Sequence, residues 1–259
     1  MGPCRALEAE MLVVKRETVH DISLAAADLF VEHCLRVLDE DRECTVAVSG
    51  GRTPSGFFRL LAKEKRLARE AWNRIHFFWV DERCVPGNDP ASNYGNAKRV
   101  LLDCVPVLPD HVHPMACGPE PEQGAISYED QLRKFFRLSP GSFPRLDLVV
   151  LGVGSDGHTA SLFPGTDSLF EKRRCVVAVK GGNPDVWRLT LTFPVINSAA
   201  NLIILAAGKE KARAVRALTG LSNEDFPVRR VRPAKGTITL ILDRQAAGGS
   251  GSRFREARD

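Results

Sequence analysis

Asp156 and His158 stand two residues apart on a glycine-rich turn, GVGSDGH, that follows the largely apolar run Leu146 to Leu151. Free imidazole titrates near ~6.5, so it can take a proton from water and return it at neutral pH, and a neighbouring carboxylate can orient it. Proton transfer is the chemistry this spacing offers. Gly152, Gly154 and Gly157 allow positive φ and let a ligand approach the backbone. A second group suits anions. Gly50, Gly51, Arg52 and Thr53 join the strand-like CTVAVS to a helix with Pro54 near its first position. Unpaired backbone N–H groups and the positive end of a helix are the usual means of holding a phosphate, to which Arg52 and Thr53 add side-chain donors. Asp81, Glu82 and Arg83 close the run Ile75 to Val80, and Arg188 lies on the alternating stretch Trp187 to Thr192. Lys209 and Lys211 open a helix, where an anionic ligand would relieve the conflict between a cation and the helix dipole.

Plainer readings stand beside these. The glycine loop at 50–51 also suits a tight βα turn, Asp81 or Glu82 can pair with Arg83, and the lysines can be solvated surface. GVGSDG matches the dinucleotide fingerprint G-x-G-x-x-G, but the context argues against a nucleotide. Pro164 cuts the following helix short, and the next strand, Cys175 to Val179, ends in Lys180 rather than an acidic residue. No Gly-Lys-Ser/Thr follows Gly50, so a magnesium triphosphate is not expected. His111 and His113 alternate in a proline-rich loop, but without a third ligand at suitable spacing no metal and no other cofactor is expected.

The elements that must position these groups follow from periodicity. Ile22 to Leu38 and Ala125 to Arg137 carry apolar residues at helical spacing. Cys44 to Ser49, Ile75 to Val80, Leu146 to Leu151, Cys175 to Val179, Trp187 to Thr192, Asn201 to Ala207 and Thr237 to Leu242 read as strands. Thr159 to Phe163 is expected to make about one helical turn before Pro164 and Gly165 stop it. Ser92 or Asn93 can cap a helix ending near Leu102, and Phe193 and Pro194 start a short one. Strands and helices in this order imply a three-layer α/β fold with a mostly parallel central sheet, and ligands at such sheets bind beyond the carboxyl ends of the strands.

Composition sets the outer bounds. With 259 residues, 44% hydrophobic and 26% charged, the chain has ordinary globular composition. It shows no internal repeat, so one domain over 1–243 is expected, followed by a flexible tail at 244–259. That tail contains GGSGS and contributes +2 of the net +4, which leaves the body without the basic stripe nucleic acid needs. Seven cysteines without a C-x-x-C pair suggest neither a disulfide framework nor a zinc site, in keeping with a reducing cytosol. The N-terminus lacks the apolar core of a signal peptide, and no run reaches the ~18 apolar residues of a membrane span.

Five blocks, in order and at family spacing, resemble the 6-phosphogluconolactonase family: SGGRTP at 49–54, WVDERCVPGNDPASNYGNA at 79–97, LDLVVLGVGSDGHTASLFPG at 146–165, RLTLTFPVIN at 188–197 and GKEKA at 208–212. The resemblance runs from about residue 20 to 245. It implies a Rossmann-like fold and a cytoplasmic, metal-independent enzyme of the pentose phosphate pathway that hydrolyses 6-phospho-D-glucono-1,5-lactone. For an ester closed into a ring, His158 is then expected to act as the acid–base catalyst, with Asp156 positioning the imidazole or the water. Gly50, Gly51, Arg52, Thr53, Arg188 and Lys211 hold the phosphate, and Arg83 with Asp81 contacts the sugar or the developing charge. The partner is a small sugar-phosphate lactone, with no nucleic acid and no membrane, and the expected form is a monomer or weak dimer. Between Lys180 and Arg188 the family often carries a proline-rich segment where this chain has GGNPDVW.

Glucosamine-6-phosphate deaminases, which share this fold, are the alternative. They typically read I-A-F-N-E-P after the histidine, with a Glu that assists ring opening, and here T-A-S-L-F-P puts Phe163 in its place. A non-catalytic sugar-phosphate sensor would be expected to lose His158 while keeping the phosphate loop, and this chain keeps both.

Overall fold

Runs such as Cys44–Val48 and Ile75–Trp79 have every residue buried, the signature of strands covered on both faces. In a computed structural model that describes residues 11–248, the side chains of Arg52 and Thr53 excepted, these runs centre a seven-stranded sheet. The chain opens with β1 (Met11–Arg16), α1 (Val19–Asp39), β2 (Cys44–Val48) and α2 (Arg52–Leu61). It continues through α3 (Arg69–Trp72), β3 (Ile75–Trp79), β4 (Asp81–Arg83), α4 (Asn93–Ala97), β5 (Val112–His113) and α5 (Pro121–Phe135). Then come β6 (Leu148–Gly152), β7 (Val176–Gly181), β8 (Val186–Leu191), α6 (Phe193–Ile196), β9 (Asn201–Ala206), α7 (Ala212–Leu218) and β10 (Thr237–Asp243).

The central sheet runs β1-β10-β9-β6-β2-β3-β5, and every pairing in it is parallel. From β2 the chain moves outward to β3, whereas from β6 it moves to β9 on the other side. The strand order therefore reverses between β2 and β6, and the crevice at their carboxyl ends is where a doubly wound sheet takes its ligand. Helix α1 covers the sheet with Ile22, Ala26, Phe30 and Val37. It begins at Val19, ahead of the expected Ile22, because Thr18 caps it. The Asp21 amide donates to Thr18 Oγ1 (3.2 Å) and the Thr18 amide to Asp21 Oδ2 (3.0 Å), a reciprocal capping box.

Strands β7 and β8 lie outside the central sheet. With β4 they form a second, antiparallel sheet in the order β4-β8-β7, which pairs Arg83 with Arg188 in register.

Three expectations need correction, and one strand was not foreseen. Thr159 to Phe163 is not a helical turn: Ala160 sits at φ 51°, and Thr159 bridges Leu162. The hydroxyls go to strand ends instead, Thr159 Oγ1 to the Gly152 carbonyl (2.9 Å) and Ser161 Oγ to Asp81 Oδ2 (2.7 Å). Those two long-range bonds outweigh a one-turn helix, which is costly to nucleate. Cys84 and Cys117 form a disulfide, contrary to the reading of an unbridged set, and it ties the residue after β4 to the segment before α5. The N-terminal strand β1 was not expected; it pairs in register with β10 at the sheet edge. Order also extends past Asp243, where the tail was expected to start, because Ala246 and Ala247 are buried in the core. Residues 249–259 lie outside the described residues.

Candidate active site

A cleft of about 640 Å³ opens at the carboxyl ends of β2, β6, β9 and β10. Gly50, Gly51, Asp81, Arg83, His158, Arg188 and Lys211 all line it, so seven of the ten expected site residues meet in one place. Asp156 stands behind His158. The side chains of Arg52 and Thr53 lie outside the described residues, although their backbone forms the first turn of α2. Gly51 (φ 105°) is the N-cap of that helix and makes no side-chain cap, and Gly51 and Pro54 line the cleft, so the helix N-terminus opens onto it.

The turn after β6 shapes the His158–Asp156 pair. His158 Nδ1 and Asp156 Oδ1 are 2.6 Å apart, and the His158 carbonyl accepts from the Gly154 amide at 2.8 Å. Glycine is required at 154, because a Cβ there would stand 2.1 Å from His158 Nδ1 and 2.5 Å from Asp156 Oδ1. Since a carboxylate only accepts, Nδ1 carries the proton and Nε2 is left as the basic nitrogen. Nε2 makes no hydrogen bond to any described residue, and the ring lines the cleft. Burial pushes the Asp156 carboxyl up, but the hydrogen bond and charge of His158 outweigh it and hold it below its ordinary value. Phe163 packs between His158 and Arg188, with its ring centroid 4.8 Å from the imidazole and 5.4 Å from the guanidinium carbon.

The cations are arranged against their own repulsion. Arg83 and Arg188 face each other across the β4–β8 pairing, where like charges destabilise unless something negative intervenes. Burial and then the charge of Arg83 push Arg188 down, while Asp81 and Glu82 pull the other way. Arg188 Nε donates to the Gly181 carbonyl (3.0 Å) and Arg83 Nη1 to the Ala91 carbonyl (2.8 Å), but Arg83 Nε is buried with no partner among the described residues. Among the acidic groups lining the cleft, Asp81 and Asp243 are already occupied. Asp243 accepts from the Gly208 amide (2.9 Å) and the Ala246 amide (2.7 Å). Glu17 pairs with Arg244 at 3.4 Å.

Asn93 was read only as a helix cap. Ser92 takes that task, accepting from the Gly95 amide at 2.9 Å. Asn93 is thereby free to receive Arg83 Nη1 on its oxygen and to donate from Nδ2 to the Asp81 carbonyl (2.8 Å). A Cβ at Gly50 would collide with its amide at 1.8 Å, so the phosphate-type loop and Asn93 require each other. Glu82 does not enter the cleft. It accepts from the amides of Arg83, Asn93 and Tyr94 (2.7 Å each) and from Ser92 Oγ (3.0 Å). Burial nevertheless holds its carboxyl above the ordinary value, and the ion pair that stood as the plainer alternative, between Asp81 or Glu82 and Arg83, does not occur among the described residues. Asp243, Gln245 and Asn93 are among the lining residues that spacing alone did not point to.

An imidazole–carboxylate pair and two facing guanidiniums at the switch point of a parallel sheet fit the class of α/β enzymes that act on small anionic substrates. The comparisons with known proteins narrow it. The family model described as glucosamine-6-phosphate isomerases/6-phosphogluconolactonase matches residues 17–240, and the chain belongs to that family. The 6-phosphogluconolactonase of a Synechocystis strain is 39% identical over 215 residues, covering 82% of this chain and 86% of that protein. The Streptomyces coelicolor 6-phosphogluconolactonase is 35% identical over 93% of this chain and 94% of its own length. The structure of 6-phosphogluconolactonase from Trypanosoma cruzi superposes with a TM-score of 0.85 at 30% identity, over 96% of this chain and 100% of that one. A monomeric glucosamine-6-phosphate deaminase has the same fold at TM-score 0.76 and 22% identity. Among the described residues, no helix is long and apolar enough to cross a membrane.

Proposed function

We propose that this chain hydrolyses 6-phospho-D-glucono-1,5-lactone to 6-phospho-D-gluconate, the second step of the oxidative pentose phosphate pathway. The observation that carries this reading is the open Nε2 of His158, fixed by Asp156, in a cleft that also presents Arg83, Arg188 and Lys211. In the proposed mechanism Nε2 takes a proton from water as the water oxygen attacks the lactone carbonyl. The tetrahedral oxyanion collapses, the bond to the ring oxygen breaks, and the imidazolium returns the proton to that oxygen. General acid–base catalysis of this kind contributes about 10²- to 10⁴-fold. Arg188, Lys211 and the loop Gly50, Gly51, Arg52 and Thr53 hold the phosphate, and Arg83 with Asp81 meets the sugar. Binding the phosphate far from the carbonyl holds the lactone in place for attack.

Against the deaminase reading stands Phe163. It is 6% exposed and lies against the catalytic imidazole, where a ring-opening isomerase needs an acid–base carboxyl. In the same reading the enzyme works in the cytoplasm as a monomer or weak dimer, without nucleic acid and without a metal or cofactor in catalysis; one plant relative, from Arabidopsis thaliana, is chloroplastic.

The test generates the lactone in situ with a glucose-6-phosphate dehydrogenase and follows its loss above the spontaneous rate. Wild type should accelerate ring opening, and His158→Ala should lose most of that acceleration while still binding 6-phosphogluconate. Release of ammonia from glucosamine 6-phosphate, with no effect on the lactone, would assign the chain to the deaminases. Binding without either reaction would make it a sensor.

A further inference from the structure

The parallel strands have a second set of polar ends. Glu43 immediately precedes β2, His76 is the second residue of β3, and His111 immediately precedes β5. All three therefore lie at the amino ends of adjacent strands, while the cleft lies at the carboxyl ends. A five-residue strand puts the two about 17 Å apart.

We propose that Glu43, His76 and His111 form a binding site for a divalent first-row transition ion, zinc above all, separate from the catalytic cleft. One carboxylate oxygen and one nitrogen from each imidazole lie within 4.8 Å of one another. Two imidazoles and a carboxylate are a familiar zinc donor set, with water completing the tetrahedron. Tetrahedral bonds of ~2.0–2.1 Å place ligand atoms about 3.3 Å apart, so the site must contract by an ångström or more. Glu43 Oε2 already sits 3.0 Å from His76 Nε2, and the Glu43 side chain is 55% exposed, which lets it move and lets an ion enter. The His76 and His111 rings are stacked, with centroids 3.8 Å apart at 23°, so one ring must turn before both can offer a nitrogen to a single ion. The closing motion is a swing of His111, which ends a short 3-10 turn (Pro109–His111) and is only half-buried.

A second observation points to a ligand. His111 Nδ1 is buried and has no hydrogen-bond partner among the described residues, one of three such side-chain atoms. The shell behind His76 is also built. Gln131 Nε2 lies 3.2 Å from His113 Nδ1, and His113 Nε2 lies 3.0 Å from His76 Nδ1. Without an ion the protons sit on the Nε2 atoms of both rings, so that His76 donates to Glu43 and His113 to His76. An ion at His76 Nε2 takes the place of that proton. Each ring then carries its single proton on Nδ1, His76 donates to His113, and the Gln131 amide turns to present its oxygen. No charge changes on either ring, and His76 acquires the outer hydrogen bond that orients metal-binding histidines.

Titration of the metal-free full-length protein with zinc chloride by calorimetry, and with cobalt followed by its visible d–d bands, tests the site. His76 stays intact in the variants because its ring is part of the core. We expect one equivalent to bind in wild type and in a Cys104→Ser, His158→Ala background, which removes the exposed thiol and the catalytic imidazole. Glu43→Gln and His111→Asn should each weaken binding at least ~10-fold, abolish the tetrahedral cobalt bands and the zinc-dependent rise in melting temperature, and leave lactone hydrolysis unchanged. Zinc bound equally well by the Glu43→Gln, His111→Asn double variant, or no binding at about 100 µM ion, overturns the proposal.

Discussion

Strands β2 and β3 end in two different kinds of polar chemistry. Beside their amino ends the Asp147 carboxylate is saturated, accepting from the Thr45 amide (2.9 Å), Thr45 Oγ1 (2.7 Å) and Arg42 Nη1 (2.7 Å). At their carboxyl ends Ser49 Oγ and Arg83 Nε are buried without partners among the described residues, and His158 Nε2 is open to the cleft. Buried polar groups are normally paired, so a concentration of unpaired ones marks where a ligand completes the bonding. Asp147 serves the fold, whereas His158 and Arg83 are held ready at a cost to it.

That contrast can be broken at either end. The largest effect belongs to His158→Ala: lactonase kcat should fall about 10²- to 10⁴-fold while the melting temperature stays near wild type, because the side chain is 33% exposed. A large loss of stability would show that the pair is structural. Next is Gly154→Ala, whose methyl group occupies the space of the His158–Asp156 contact. Displacing the imidazole by about an ångström should cost ~10²-fold in kcat with a smaller change in KM, measured by steady-state kinetics. Wild-type kinetics in this variant would mean that the pair need not fold over the backbone. Asp147→Ala should do the reverse. It strands the Thr45 donors and lowers unfolding free energy by about 2–3 kcal/mol in urea titrations, with kcat unchanged.

The smallest effect concerns a histidine at neither end. Burial, then the nearby Arg36 charge, push the His33 imidazole in α1 down to about 4. The unfolded chain binds this proton below its ordinary 6.5, and the folded chain only near 4. Stability therefore rises with pH across that window and is lost on acidification through it. In His33→Gln the urea midpoint should fall less steeply between pH 6.5 and 4. An unaltered slope would shift the effect to other groups.

Much of this was legible before any coordinates. Strands buried on both faces read as unbroken apolar runs, so β2, β3, β9 and β10 fell within a residue or two of their observed ends. Strand β1 was not, because its residues are mostly half-exposed at the sheet edge and carry little pattern. The stretch after His158 misled because Thr159 and Ser161 bond to Gly152 and Asp81, partners that local propensity does not register. The Cys84–Cys117 bond was equally invisible, since a separation of 33 residues carries no information about proximity.

By itself the sequence determined what depends on neighbours along the chain: the Asp156–His158 contact and the glycines that let backbone and ligand approach. These interactions close over two or three residues and need no knowledge of the rest. Tertiary structure decided which turns share a cleft. Arg83 faces Arg188 because β4 pairs with β8, Asn93 locks against Gly50, and Glu43, His76 and His111 come together because β2, β3 and β5 are neighbours in the sheet. Those pairings are selected by burying the apolar faces of the whole sheet at once, a cooperative quantity that no single stretch of residues contains.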